Sequence, residues 1–151
     1  MSAARKNSLA RVFLDTNVFF SGFHTRDGAA GKILELMVDG RITVVLCQQV
    51  LDELVRVFKK KLPVMLPALR EFLISNPMEV IRDPGADAVA VWKGIVPEED
   101  AVILAAAAAA EPDFFATGDR HFLGNRKAEE RSGLIICSPA DLLKRLEQRE
   151  S

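Results

Sequence analysis

The chain has 151 residues, about the size of one domain, and its 49% hydrophobic and 27% charged residues exclude a generally disordered protein. Lys and Arg number 20 against 21 for Asp and Glu, which argues against a protein that holds nucleic acid by bulk positive charge. With two His and no Tyr, an enzyme of this composition would depend mainly on carboxylates for its chemistry.

Apolar periodicity and turn signals predict that strands and helices alternate along the chain. In chain order they are a strand at 12–14, a polar turn at 15–17 and a loop at 21–28, a helix at 29–38, a strand at 42–46, a helix at 48–61, a helix at 63–76 broken near Pro67, a strand at 79–81, a short helix within 86–94, an alanine-rich helix from 97, a strand at 114–116, a strand at 134–136 and a helix from 139. This alternation predicts an α/β fold with a mostly parallel central sheet of about five strands.

The cysteines and the two ends of the chain indicate the cellular location that we expect for the protein. Cys47 and Cys137 fit no disulfide framework or zinc motif, which favours a reducing, cytoplasmic location. The basic start lacks the apolar core of a signal peptide, and the apolar run at 101–110 is too short to span a membrane. We therefore expect one domain at 11–147 between short tails at 1–10 and 148–151, without a membrane association.

Four carboxylates far apart in sequence are predicted to meet at one edge of this sheet. Asp15 follows the first strand and Asp119 follows the fourth, so parallel strands bring both to the carboxyl edge. Asp100 opens the alanine-rich helix at that edge, and Glu53 lies about 8 Å from it, in the second turn of its helix. Each acid alone is more simply explained as a turn former, a cap or a solvated side chain; only their joint placement predicts a site.

Such a convergence of carboxylates predicts a metal ion. Like charges a few ångströms apart repel, and a hard divalent cation such as Mg²⁺ or Mn²⁺ removes that repulsion. Such an ion also polarises a phosphate oxygen and lowers the pKa of its bound water, so that no histidine base is needed. The scarcity of histidine and the carboxylate cluster therefore indicate the same chemistry.

At this point the motifs resemble those of the PIN domain family, in the family's order and over residues 11 to about 146. The matching segments are the opening strand at 12–17, the helix with the second acid at 50–54, the helix with the third acid at 100–106, the motif with the fourth acid at 117–119, and the closing strand and helix at 136–143. The resemblance implies a three-layer α/β/α fold. It also implies a metal-dependent ribonuclease that hydrolyses RNA with metal-activated water, most often as the toxin of a prokaryotic toxin–antitoxin pair.

The resemblance also assigns residues and partners. It implies a homodimer and an antitoxin that covers the acidic site. The implied catalytic residues and ligands of Mg²⁺ or Mn²⁺ are Asp15, Glu53, Asp100 and Asp119, with Asn17 and Thr117 as supporting groups.

One departure from the family leaves the third acid open. Some relatives carry an Arg-Asp-Pro-like segment almost directly before the third-acid helix, whereas here a longer stretch separates 82–84 from that helix. Asp83 is therefore an alternative to Asp100. We favour Asp100 because the apolar pattern of the family follows it directly.

Local basic residues could offset the acidic edge. Lys59 and Lys60 lie beside the helix of Glu53, and Arg120 follows Asp119, so these three are candidates for contacts with RNA phosphates, although solvated lysines near a helix end are common. Two other functions stay open. One is a non-catalytic PIN-like interaction module; the other is a phosphatase with Asp15 as nucleophile, which would want a second Asp where Asn17 stands.

Overall fold

In the computed structural model, which describes residues 9–150, five short strands form one parallel sheet flanked by helices. The strands are β1 (Ala10–Leu14), β2 (Ile42–Cys47), β3 (Glu79–Ile81), β4 (Phe114–Ala116) and β5 (Ile136–Cys137). The helices are α1 (Thr16–His24), α2 (Ala29–Val38), α3 (Gln48–Lys61), α4 (Leu66–Ser75), α5 (Ala86–Ala90), α6 (Glu98–Ala110), α7 (Arg126–Ser132) and α8 (Pro139–Glu150), with a 3₁₀ turn at Pro63–Met65. Most of the tail predicted at 1–10, and Ser151 of the tail predicted at 148–151, lie outside the described residues.

The strand order is β3-β2-β1-β4-β5, and every neighbouring pair is parallel. From β1 the chain first builds outward through β2 to β3, and it then returns to pair β4 on the other side of β1. Leu14 at the end of β1 pairs with Ala116 at the end of β4, so the loops after these two strands start side by side. The predicted α/β/α fold with about five parallel strands is confirmed, and its switch point lies between β1 and β4.

Strands β1, β2, β4 and β5 are largely buried on both faces, which explains why they are nearly continuous apolar runs, whereas the edge strand β3 is largely exposed. Val12, Phe13 and Leu14 of β1 have no exposed surface, and the rings of Phe13 and Phe115 pack edge to face with centroids 5.4 Å apart. Trp92, which follows α5, is also buried. No helix within residues 9–150 has the length and apolar character to cross a membrane.

Helix α1 replaces the polar turn predicted at 15–17 and the first half of the loop predicted at 21–28. Asp15 caps it by accepting a hydrogen bond from the backbone N of Thr16, and Val18, Phe19 and Gly22 form its buried face. Valine and phenylalanine are mediocre helix formers, so this helix depends on burial rather than on local propensity. The aromatic side chains after β1 are therefore core residues of a helix and do not lie in a loop.

Two differences follow near the end of the chain. Helix α7 was not predicted, because it is polar and buries only Ala128; Asn125 caps its start and Gly133, with φ of 72°, ends it. Strand β5 starts at Ile136, two residues later than predicted, because β4 offers it only Phe115 and Ala116 as partners.

Gly31 in α2 is a position where the fold requires the smallest residue. A Cβ there would overlap the backbone carbonyl of Arg26, which cannot move as a side chain could. We expect Gly31→Ala to lower the free energy of unfolding by about 1–3 kcal/mol or more in urea denaturation. Gly85→Ala is the control, since a Cβ at Gly85 meets nothing within 4 Å, and we expect it to change stability by at most about 1 kcal/mol. Equal stabilities of the two variants would contradict this prediction.

Candidate active site

Asp15 is buried at the switch point, and both of its carboxylate oxygens are hydrogen-bonded. Oδ1 accepts from the backbone N of Thr16 at 2.8 Å. Oδ2 accepts from the hydroxyl of Thr117 at 2.8 Å and from Nδ2 of Asn17 at 3.1 Å. These donors come from the first turn of α1 and from the loop after β4, so the sheet topology itself fixes the orientation of this carboxylate.

The position of Asp15 disfavours the ionised form of its carboxyl group. The pKa of Asp15 is raised to about 6, chiefly by burial and also by the charges of Asp119 and Glu53, although the hydrogen bonds from Thr117 and Thr16 lower it. The structure thus brings Asp15, Asp119 and Glu53 close enough to repel one another.

The loop after β4 positions Asp119 through Thr117 and Asn17. The Thr117 hydroxyl accepts a hydrogen bond from the backbone N of Asp119 at 3.0 Å, and Asn17 Oδ1 accepts one from the backbone N of Gly118 at 2.7 Å. A Cβ at Gly118 would lie 3.2 Å from Asn17 Oδ1, so glycine permits this close approach. The two residues predicted as supporting groups therefore tie the loops of Asp15 and Asp119 together.

Glu53 reaches the site from the second turn of α3. Its Oε2 accepts a hydrogen bond from the hydroxyl of Thr16 at 3.2 Å, and its Oε1 accepts one from Nε2 of Gln49 at 3.4 Å. The carboxylate is half-buried and is held against the first residue of α1. Glu53 is thus fixed beside Asp15 even though 38 positions in the sequence separate them.

Asp100 meets Asp119 through a residue that sequence reasoning did not assign to the site. His121 Nδ1 lies 2.7 Å from Asp100 Oδ2 and 3.4 Å from Asp119 Oδ1. Within the described chain, Asp100, Asp119 and His121 place one ligand atom each within 4.8 Å of one another, as a metal site requires. The available signal was the position of His121 two residues after Asp119, in a chain with only two histidines.

The electrostatics of this second group resemble those of Asp15. Burial raises the pKa of Asp100, the hydrogen bond from His121 lowers it, and the charge of Asp119 raises it. The same hydrogen bond to Asp100 raises the pKa of His121. Asp119 therefore repels both buried acids, Asp15 on one side of the site and Asp100 on the other.

Asp83, the alternative third acid, has a different place. Its Oδ1 accepts a hydrogen bond from the backbone N of Gln49 at 2.9 Å, which satisfies a free donor at the start of α3. Asp83 is exposed and lines an open cleft of about 620 Å³ together with Glu53, Glu99 and Arg56. The structure thus brings Asp100 beside Asp119 and gives Asp83 a helix-capping contact.

The predicted phosphate contacts lie at the surface near these acids. Lys59 and Lys60 are exposed in the last turn of α3, and Lys60, two turns after Glu53, lies about 10 Å from it along the helix axis. Arg120 is exposed between Asp119 and His121. Arg56, on the same helix, lines the cleft beside Glu53.

The side chains fit a hard divalent cation. The site offers carboxylate oxygens from four separate segments of the chain together with one imidazole nitrogen, a donor set that suits Mg²⁺ or Mn²⁺. The pKa values of Asp15 and Asp100 are both raised in part by the charge of Asp119, which indicates uncompensated negative charge. A cation held among these acids would remove that repulsion.

Comparisons with known proteins agree with this geometry. A family model described as a PIN domain matches residues 11–121. VapBC2 from Rickettsia felis, solved bound to a DNA fragment from its promoter, is 18% identical with a TM-score of 0.59, covering 85% of this chain and 98% of that one. PAE2754 from Pyrobaculum aerophilum is also 18% identical with a TM-score of 0.59, covering 93% of this chain and 90% of that one.

These structural likenesses, at such low identity, show a shared fold. No curated protein matches the sequence. The family model, however, covers well over half of the chain and includes all four predicted acids as well as His121. The chain therefore belongs to the PIN domain family.

Proposed function

We propose that this protein is a metal-dependent endoribonuclease of the cytoplasm that hydrolyses RNA phosphodiester bonds, with Mg²⁺ or Mn²⁺ held by Asp15, Glu53, Asp100 and Asp119. PIN domains are generally nucleases that act on nucleic acids. The observation that carries the proposal is the convergence of buried, mutually repelling carboxylates at the switch point of the sheet. When bound, the ion would supply a Lewis acid for a phosphate oxygen and a water molecule of lowered pKa.

Other residues of the chain would position the metal ligands and bind the substrate. Asn17, Thr16 and Thr117 hold the carboxylates in place by hydrogen bonds, as the groups around a metal ligand generally do. The exposed cations Arg56 and Lys60 lie along the face of α3 that carries Glu53, where they would bind the phosphates that flank the cleaved bond.

The direct test is cleavage of fluorescent single-stranded RNA after the protein has been stripped with EDTA. We expect cleavage on addition of Mg²⁺ or Mn²⁺ and none in EDTA. Because the nucleophile is water, an RNA with a single 2′-deoxy sugar at the cleaved position should still be cut, and no 2′,3′-cyclic phosphate should form. An all-DNA strand of the same sequence measures the preference for RNA. Absence of cleavage of every RNA tested, with metal bound, would contradict the proposal.

Replacing both Lys59 and Lys60 with alanine tests the substrate side. We expect KM for RNA to rise several-fold with kcat nearly unchanged, because these side chains would bind phosphates in the ground state and the transition state alike. The slope of log KM against log salt concentration should also fall, by at most about two, because at most two phosphate contacts are removed. Lys144→Ala, an exposed lysine on α8, is the matched control. A fall in kcat with KM unchanged would contradict a role in substrate binding.

The proposal extends to the protein's partners. We infer that the chain is the toxin of a toxin–antitoxin pair, acts as a homodimer, and is inhibited by an antitoxin that covers the acidic site. The fold shared with VapBC2 supports this context. Binding of a product encoded by a small neighbouring reading frame, and the molecular mass in solution, test the two parts separately.

A further inference from the structure

His121 is an exposed residue whose ring nevertheless contacts two of the proposed ligands. About half of its side-chain surface is free, at 52%, while the side chain of Asp100 is only 12% exposed. The backbone N of His121 donates to Asp119 Oδ1 at 2.8 Å, so the backbone of this residue already fixes the orientation of Asp119. The ring and the two carboxylates thus form one compact group on the loop after β4 and the first turn of α6.

The spacing of this group is that of neighbouring ligands on one ion. Ligand atoms about 2.1 Å from an octahedral cation lie about 3 Å apart along each edge of the octahedron. The distances from His121 Nδ1 to the oxygens of Asp100 and Asp119, 2.7 Å and 3.4 Å, lie on either side of that value. Since all three ligand atoms lie within 4.8 Å of one another, small shifts would bring them onto the same ion.

A His121 ring that only donates a hydrogen bond to Asp100 would compensate the two carboxylates less well than a metal ion. Even a charged imidazolium brings only one positive charge to two neighbouring carboxylates, one of them buried. A divalent ion compensates both carboxylates and uses the lone pair of the ring nitrogen as well. Carboxylate-only sites suit Mg²⁺, whereas an imidazole ligand shifts affinity toward transition metals.

We propose that His121 is a direct metal ligand through Nδ1, together with Asp100 and Asp119, and that this nitrogen makes the site bind Mn²⁺ in preference to Mg²⁺. The inference rests on the metal-dependent function proposed above and specifies its cofactor. It assigns the site a mixed oxygen and nitrogen coordination in place of one made of carboxylates alone.

Electron spin echo spectroscopy on the Mn²⁺-loaded full-length protein tests the ligand directly, in slightly alkaline buffer that keeps imidazole neutral. We expect modulation from a coordinated ¹⁴N nucleus that changes to the ¹⁵N pattern when histidine is labelled with ¹⁵N. The modulation should be lost in His121→Ala and in His121→Asp. It should persist in His24→Ala, which removes the other histidine, an exposed residue at the end of α1.

Titration calorimetry tests the preference between the two ions. We expect His121→Asp to lower the ratio of Mn²⁺ to Mg²⁺ affinity by about tenfold, since the change replaces the nitrogen ligand that favours Mn²⁺ with an oxygen ligand that suits both ions. Thermal unfolding in EDTA shows whether each variant is folded. Binding of Mn²⁺ to the wild type without nitrogen modulation would overturn this inference and leave the proposed function standing. Failure of the folded wild type to bind either ion would overturn both.

Discussion

Asp15→Asn and Asp119→Asn should each lower kcat/KM for RNA by at least about 10²–10³-fold, the usual loss when one electrostatic group aimed at the reacting atoms is removed. Each substitution keeps the shape of the side chain and removes one negative charge from a cluster whose members interact. The amide at position 15 also presents a donor where Thr117 and Asn17 now donate. The measurement is initial cleavage rate in saturating Mg²⁺ and in saturating Mn²⁺.

The double variant sharpens this test. If the acids act as one metal-holding unit, Asp15→Asn combined with Asp119→Asn should be little worse than either change alone. Asp87→Asn is the control, since Asp87 is an exposed acid on the short helix α5. Full activity in both single acid variants would contradict the assignment of the site, while multiplicative losses in the double variant would contradict a single shared ion.

The metal-free protein should lose about 3 kcal/mol of stability from Asp15 alone as pH rises from about 4 to above 6. The folded protein holds the Asp15 proton up to its raised pKa of about 6, whereas the unfolded chain releases it near 3.8. The stability that Asp15 contributes is therefore fully present below its pKa in the unfolded chain. It is lost as the pH rises through its pKa in the folded protein. At about 1.4 kcal/mol for each pKa unit, the shift corresponds to the stated loss.

Comparison with Asp15→Asn isolates this effect from the other titrating groups. In EDTA, the difference in unfolding free energy between the variant and the wild type should change by about 3 kcal/mol in favour of the variant across that pH interval. Saturating Mg²⁺ or Mn²⁺ should reduce the change, because a bound cation stabilises the ionised carboxylate. The measurement is urea denaturation at a series of pH values. Parallel pH profiles for the two proteins would contradict the raised pKa of Asp15.

The alternative functions make different predictions for the same experiments. A non-catalytic interaction module would keep the fold and bind no divalent ion at millimolar concentration. A phosphatase would need Asp15 to attack phosphorus, but both of its oxygens already accept hydrogen bonds from Thr16, Thr117 and Asn17. Such a carboxylate is a poor nucleophile, and its burial favours a positioning or ligand role.

The fold could be predicted largely because its strands and helices carry strong local signals. The predicted bounds of α3 agree with Gln48–Lys61, since its apolar positions follow a clear helical period. Helix α1 could not be predicted in this way, because its burial depends on packing partners such as Phe58 and Phe72 from distant segments. Helix α7 has a cap and a terminating glycine but almost no apolar face.

The candidate site could be predicted as far as topology determines it. Parallel strands bring the residues that follow β1 and β4 together whatever their side chains do, so Asp15 and Asp119 follow from strand order. The contact between His121 and Asp100 is different, because it depends on the path of the loop after Asp119 and on a rotamer. A sequence carries little information on either. The choice between Asp83 and Asp100 likewise needed the hydrogen bond that Asp83 makes to α3.

The buried alanines of α6 have a consequence for how mutations can inactivate this enzyme. Ala105, Ala106 and Ala107 are almost completely buried. The helix backbone therefore packs close to its neighbours, with no longer side chains between them that could adjust to a change. Asp100 lies in the first turn of the same helix. We expect a single added methyl group, one to two turns away, to shift the helix and move Asp100 away from Asp119. In a screen for loss of the proposed nuclease activity, inactivating substitutions should therefore map also to a stretch of alanines whose side chains carry no reactive group.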